Sequence, residues 1–281
     1  MQHEQETEFL ADALRNRIDA HDFRVPVIPE VVWKVMRIVN DPESNATELV
    51  NVVQSEPALA ACVVRVANSA AYYRGSMVDG LPLAIARLGM TLVRDIAFAT
   101  AVHAKMFDTA GFDRQLRQIS LHALASALWA KELAPLTQRD PEAVFLCGLL
   151  HSIGKPILVQ ALLEIETFDR DAVDVDALLE EIEHLHVAAA TIALKRWNMP
   201  AVIIDAISHQ NGAESATLAK TEARVIQAAR ALGGYTLRGD PTRQEIELLS
   251  VFPRLGLTSE QVDTLLASQT KVLLTLEAIR G

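Results

Sequence analysis

Aromatic residues are scarce in this sequence, 5% of 281, although half of the chain is hydrophobic. The apolar stock is instead mostly Ala, Leu, Val and Ile, side chains that let helices approach closely. Cysteine is scarcer still. Cys62 and Cys147 lie in apolar stretches without metal-type spacing, which disfavours a disulfide or a thiolate site and suggests buried thiols. Long hydrophobic runs are missing too: Ile157-Leu158-Val159 and its like are short and interrupted, so no membrane span or membrane partner is expected. The acidic start, Met1 to Asp22, has neither the basic head nor the apolar middle of a signal peptide, so a cytoplasmic location is expected. Finally there is no run of Lys or Arg, and the net charge is −10. A nucleic-acid backbone is therefore not an expected partner.

What is present is a succession of helix signals. Phe9, Leu10, Leu14 and Ile18 give residues 1–22 an amphipathic helical period. Pro26 and Pro29 open a helix that runs to Asp41-Pro42, Asn45-Ala-Thr-Glu48 caps the next, and Ser55-Glu-Pro57 starts a third that ends near Asn68-Ser69. Asn68 and Ser69 can end it by bonding nearby backbone, asparagine tolerating left-handed geometry. Gly89 suits a turn between helices. Helices are also expected over Ser120–Ala134, from Asp140 to about Gly154, and from Lys155-Pro156 through Leu163. Asp174 caps another, Pro200 restarts one that reaches His209-Gln210, and residues 222–232 form one that stops at Gly233-Gly234. Asp240-Pro241 and Thr258-Ser-Glu-Gln261 cap two more. The acid-rich stretch Glu164–Glu183 lacks calcium-loop spacing and reads as a solvated face. The fold class expected is all-α.

Histidines are the candidate chemistry. Taken alone, His151, at the end of Phe145-Leu-Cys-Gly-Leu-Leu-His-Ser-Ile-Gly-Lys155, reads as a helix-terminal residue: the dipole favours imidazolium, and free carbonyls accept a ring N–H. Taken alone, His122 reads as a surface or core residue. His184 and His186 are two apart and cannot both face inward.

The stretch from Phe145 to Lys155 resembles the G-L-L-H-D-I-G-K signature of the HD superfamily of metal-dependent phosphohydrolases, with Ser152 where the family has aspartate. More of the chain, Val27-Ile-Pro29, Ser55-Glu-Pro57-Ala-Leu59, Arg65-Val-Ala-Asn68-Ser69-Ala70 and Ala84-Ile-Ala-Arg-Leu88-Gly89, resembles in order and spacing the HDOD family, a degenerate relative of the HD and HD-GYP phosphohydrolases common in bacterial signalling. The resemblance covers about 23–231 and implies an HDOD fold in which an N-terminal helical part (23–115) packs on an HD-like part (116–231). Residues 1–22 are then an added N-terminal helix and 232–281 a C-terminal helical extension. It makes Pro29, Pro57, Asn68, Ser69 and Gly89 scaffold positions, with His122, His151, Ser152, His186, His209 and Gln210 in a vestigial HD pocket and His186, not His184, facing inward. HD-GYP enzymes have two histidines where this chain has His209-Gln210, and the final metal-binding aspartate would fall near Ala228 or Ala229. A serine hydroxyl cannot offset or bridge dications as a carboxylate does. The leading expectation is thus a regulatory protein that is not an enzyme, holds no cofactor and acts by binding signalling proteins. The alternative is a residual mononuclear phosphohydrolase or phosphodiesterase, or a metal sensor, in which His122, His151, His186 and His209 supply three ligands to a zinc ion and Lys155 binds phosphate. On the leading expectation partners bind surfaces of the helices and the added tail rather than the histidine pocket.

Overall fold

The computed structural model describes residues 2–103, 107 and 111–280. Among these there are helices and no strands. The first part of the chain gives α1 (Gln2–Asp19), α2 (Glu30–Asn40), α3 (Ala46–Gln54), α4 (Pro57–Ala67), α5 (Leu81–Leu88) and α6 (Met90–His103). The HD-like part follows as α7 (Asp113–Thr137), α8 (Pro141–Leu150), α9 (Gly154–Leu163), α10 (Val175–Arg196), α11 (Ala201–Ser208) and α12 (Lys220–Arg238). Four further helices close the described chain: α13 (Arg243–Glu247), α14 (Val251–Arg254), α15 (Ser259–Leu266) and α16 (Gln269–Arg280).

Local chemistry sets many of these ends. Asn45 accepts from the N–H groups of Thr47 and Glu48, and Asp174 does the same for Asp176 and Ala177, so each fills orphan donors of a first turn. Gly89 has φ +79°, the left-handed geometry needed between α5 and α6. Asn68 departs from expectation. It is not left-handed (φ −96°), and its amide bonds the backbone N–H and C=O of Val78, both at 2.7 Å. It therefore pins a loop ten residues on, while Ser69 makes the local bond, to Val66 O.

Helix α7 is the axis of the HD-like part, with α8 and α12 packed along it. Its buried face is rich in alanine, and the partners meet it with glycine: a Cβ on Gly148 would lie 2.6 Å from Ala127 Cα, and one on Gly233 2.9 Å from Ser126 Oγ. This corrects the helix end expected at Gly233-Gly234. Both lie within α12, serving close approach, and the left-handed cap is Gly239 (φ +69°). Likewise Thr242, in a capping box with Glu245, caps α13 in place of Asp240. The helix leading to His151 stops at Leu150, and residues 151–153 turn into α9. Pro141–Leu163 together are long and apolar enough to cross a membrane, contrary to the run-by-run reading. However, 89% of the most apolar window is buried in the protein, the place of a core hairpin.

One core, from Leu10 to Ile279, runs through both parts. Helix α1 lies on α9 and α10, where Arg15 holds Glu181 in a two-pronged pair at 2.7 Å. Trp197 donates to Pro26 O and Arg196 to Phe23 O, tying the end of α10 to the linker before α2. The C-terminal residues are equally integral: α14 packs on α12, α15 on α7, and α16 enters among α4, α6 and α7.

Candidate functional site

Four elements converge on one pocket of about 590 Å³: α7 brings Gln118 and His122, the turn into α9 brings Ser152 and Lys155, α10 brings Glu183, and α12 brings Gln227, Arg230 and Arg238. Gln210 and Asn211, just past α11, complete the wall.

His151 is buried (1% exposed) and its Nδ1–H donates to Gly148 O at 2.7 Å, the carbonyl that a helix end leaves free. The charged form expected at a helix C-terminus does not hold. Burial, aided by the positive charge of Arg230, pushes its pKa well below the usual histidine value. His122 stands edge-on to it, ring centres 5.6 Å apart, and its Nε2–H donates to Arg230 O at 3.0 Å. Burial again leads, and His122 falls to about 4. His186 does face inward while His184 is exposed. Both ring nitrogens of His186 are buried without a hydrogen bond, and Glu183 Oε1 is 3.7 Å from Nε2. Its pKa is lowered to about 4, by burial first and then by Lys155.

His209 is held differently: its Nδ1–H donates to Asp205 O at 2.9 Å and lies 3.2 Å from the Asp205 carboxylate. Of the four histidines that the resemblance groups, His122 lines the pocket, His151 and His186 are buried, and His209 is tied to its own helix. The chain leaving α11 aims position 210 inward and position 209 back at that helix, because neighbouring residues point in different directions. Gln210 is fully buried: Nε2 donates to His151 O at 2.8 Å, and Oε1 accepts from Arg230 Nη1 at 3.2 Å.

Arg230 is the residue that sequence reasoning missed. It lies two positions after Ala228 and one after Ala229, both buried, where the resemblance places the family's final acid. Its guanidinium bonds Gln210 and Asn211 side-chain oxygens, and Glu183 Oε1 stands 4.0 Å away. A usable signal was the three-residue spacing of Arg224, Gln227 and Arg230 along one helix face. Lys155 pairs with Glu183. Burial raises the Glu183 pKa, but Lys155, His186 and Arg230 outweigh it and the net shift is downward.

These residues do not fit the two metals of an HD hydrolase. No carboxylate stands at 152 or at 228–229, and among the described residues no group of three or more His, Cys, Asp or Glu side chains is placed to hold an ion. Arg230 carries its positive charge into the same space, which opposes a dication there.

Neutral buried histidines make a testable mark on stability. Their folded pKa values lie below the unfolded value of about 6.5, so their contribution is complete above pH 6.5 and is lost as pH falls toward 4. Between pH 7 and pH 5 the unfolded chain takes up protons that the folded one refuses, at about 2 kcal/mol for one such group. Urea unfolding at both pH values should show this loss, reduced by about that amount in His122→Gln. An identical pH dependence in both proteins would remove His122 from the account.

A body that is helical throughout its described residues, with a pocket among α7, the α8–α9 turn, α10 and α12 that His122 lines, is of the HD-like helical class. Residues 25–213 match the HDOD domain, and the chain belongs to that family. It is similar in structure to a protein of Shewanella amazonensis SB2B provisionally named a metal-dependent phosphohydrolase (21% identity, 97% of this chain and 99% of that one, TM-score 0.74). It is also similar to an HDOD domain protein of unknown function from Geobacter sulfurreducens (21%, 98% of both chains, TM-score 0.69). A third similar structure is a provisionally named signal transduction protein of Marinobacter aquaeolei VT8 (22%, 96% of this chain and 66% of that one, TM-score 0.64). At these identities the likeness shows the fold. An uncharacterized Treponema pallidum protein is 24% identical over 162 residues, 57% of this chain and 30% of its own length. The chain thus matches under a third of that curated relative.

Proposed function

We infer that this is a regulatory protein of the HDOD type that performs no hydrolysis and works by binding signalling partners. The observation that carries the reading is the exchange at the pocket: a serine at 152, a glutamine at 210, and Arg230 in the space where acids would hold metal. HD chemistry needs a metal-polarised phosphoryl oxygen and an activated water. Here the groups that would anchor the metal are neutral or cationic. The scaffold remains well packed around them, as expected of a fold kept for recognition.

A mononuclear metal sensor has one observation in its favour. His122 and His151 both donate their N–H to backbone carbonyls, which leaves the other nitrogen of each ring as an acceptor, the arrangement of metal-binding histidines.

One purified, untagged preparation tests both. With Mg²⁺, Mn²⁺, Fe²⁺, Ni²⁺ or Zn²⁺ supplied, nucleotides, cyclic dinucleotides and simple phosphate esters should remain intact, and metal analysis should find well under one equivalent. Turnover that disappears in His151→Ala would overturn the non-catalytic reading. One tightly held equivalent, lost in His151→Ala but kept in His184→Ala, would establish the sensor instead.

A further inference from the structure

We propose that the pocket is a metal-independent site for a small phosphorylated ligand of nucleotide size, gripped by Arg230, Arg238 and Lys155.

The chain carries a net charge of −10, yet this pocket sets three cations against one carboxylate. A local reversal of that kind concentrates field within a cleft. Arg238 is exposed at the pocket and, among the described residues, has no carboxylate within ion-pair distance. Arg230, whose pKa is lowered by burial despite Glu183, has only amide oxygens at hydrogen-bond distance. A largely buried guanidinium without a close counter-ion is costly unless an anion completes it. Two planar guanidinium forks and an ammonium suit the several oxygens of a phosphoryl group. The side-chain amides of Gln118, Asn211 and Gln227 supply neutral donors and acceptors for the remainder of the molecule. A volume of about 590 Å³ is enough to hold a mononucleotide.

Glu183 is the internal stand-in. It pairs with Lys155, approaches Arg230, and is half exposed at the pocket. An incoming phosphate would take over Lys155 and Arg230 and release this carboxylate to water. The same residue would act oppositely at a metal site, where its charge would attract the ion.

The inference goes beyond the non-catalytic reading and fails separately from it. The full chain is titrated calorimetrically with inorganic pyrophosphate, AMP and adenosine in EDTA. Pyrophosphate and AMP should bind and adenosine should not, with weakening in high salt. Affinity should fall about tenfold or more in Arg238→Ala and in Arg230→Gln, and should rise several-fold in Glu183→Gln. Arg238, at the end of α12, can be replaced with little risk to folding. No binding of either anion, equal binding of adenosine and AMP, indifference to Arg238→Ala, or weaker binding in Glu183→Gln would each overturn the assignment. Cleavage of bound AMP would sink the non-catalytic reading and leave the anion site standing.

Discussion

Gly154→Ala should destabilise the protein by about 3 kcal/mol or more and lower its melting temperature by on the order of 6–12 °C. The cause is the contact between α9 and α10. A Cβ at position 154 would lie 1.9 Å from the carbonyl oxygen of His186 and 2.9 Å from the backbone N of Ala190. These are backbone atoms of a 22-residue helix, which cannot step aside as a flexible side chain can. The two helices would have to separate, and Lys155, next in sequence, would move away from Glu183. The glycine within the signature Gly-Lys pair is thus a packing requirement rather than the helix end that its position in the sequence suggested. Gly212→Ala is the matched control: its φ is −145°, nothing lies within 4 Å of a Cβ there, and the change should stay within about 0.5 kcal/mol. A Gly154→Ala protein melting within 2 °C of the wild type would reject the close approach.

Removal of residues 269–281 should abolish cooperative melting, or lower the midpoint by more than about 10 °C with a gain in dye-accessible apolar surface. Val272, Leu276 and Ile279 of α16 are buried at 2%, 3% and 6% exposure against the earlier helices. At about 2 kcal/mol for each such side chain, their loss is comparable to the whole stability of a domain. Arg65 strengthens the union from α4. Its guanidinium donates to Ala278 O at 2.8 Å and Ile279 O at 3.2 Å, so a cation meets the negative end of α16. Arg65→Ala should reproduce a smaller part of the loss, about 1–3 kcal/mol. A truncated chain that melts like the full one would show α16 to be dispensable. Cutting the tail away is therefore no test of partner binding, because such a deletion opens the core. Exposed positions such as Leu248 and Leu273 are the substitutions that leave it closed.

The sequence by itself determined the fold class, the order of helices and most of their beginnings. Those depend on local chemistry: Asn45, Asp174 and Thr258 cap the turns that follow them in the chain, and Pro57 and Pro141 sit in first turns. The sequence also showed that no carboxylate stands at 152 or at 228–229, since an absence of charge can be read without coordinates. Only the tertiary structure decided which side chains surround those positions. Whether position 209 or 210 faces the pocket depends on the rotation of α11 against its neighbours, and that rotation turned His209 onto Asp205 and Gln210 onto His151 and Arg230. Arg230 lies 75 residues after Lys155 in the chain, and no local pattern states that both will meet Glu183. Nor does any local pattern tell a glycine that ends a helix from one that lets two helices touch. Gly154 and Gly233 were settled by what stands opposite them, which is the packing of the whole chain and not the preference of one residue.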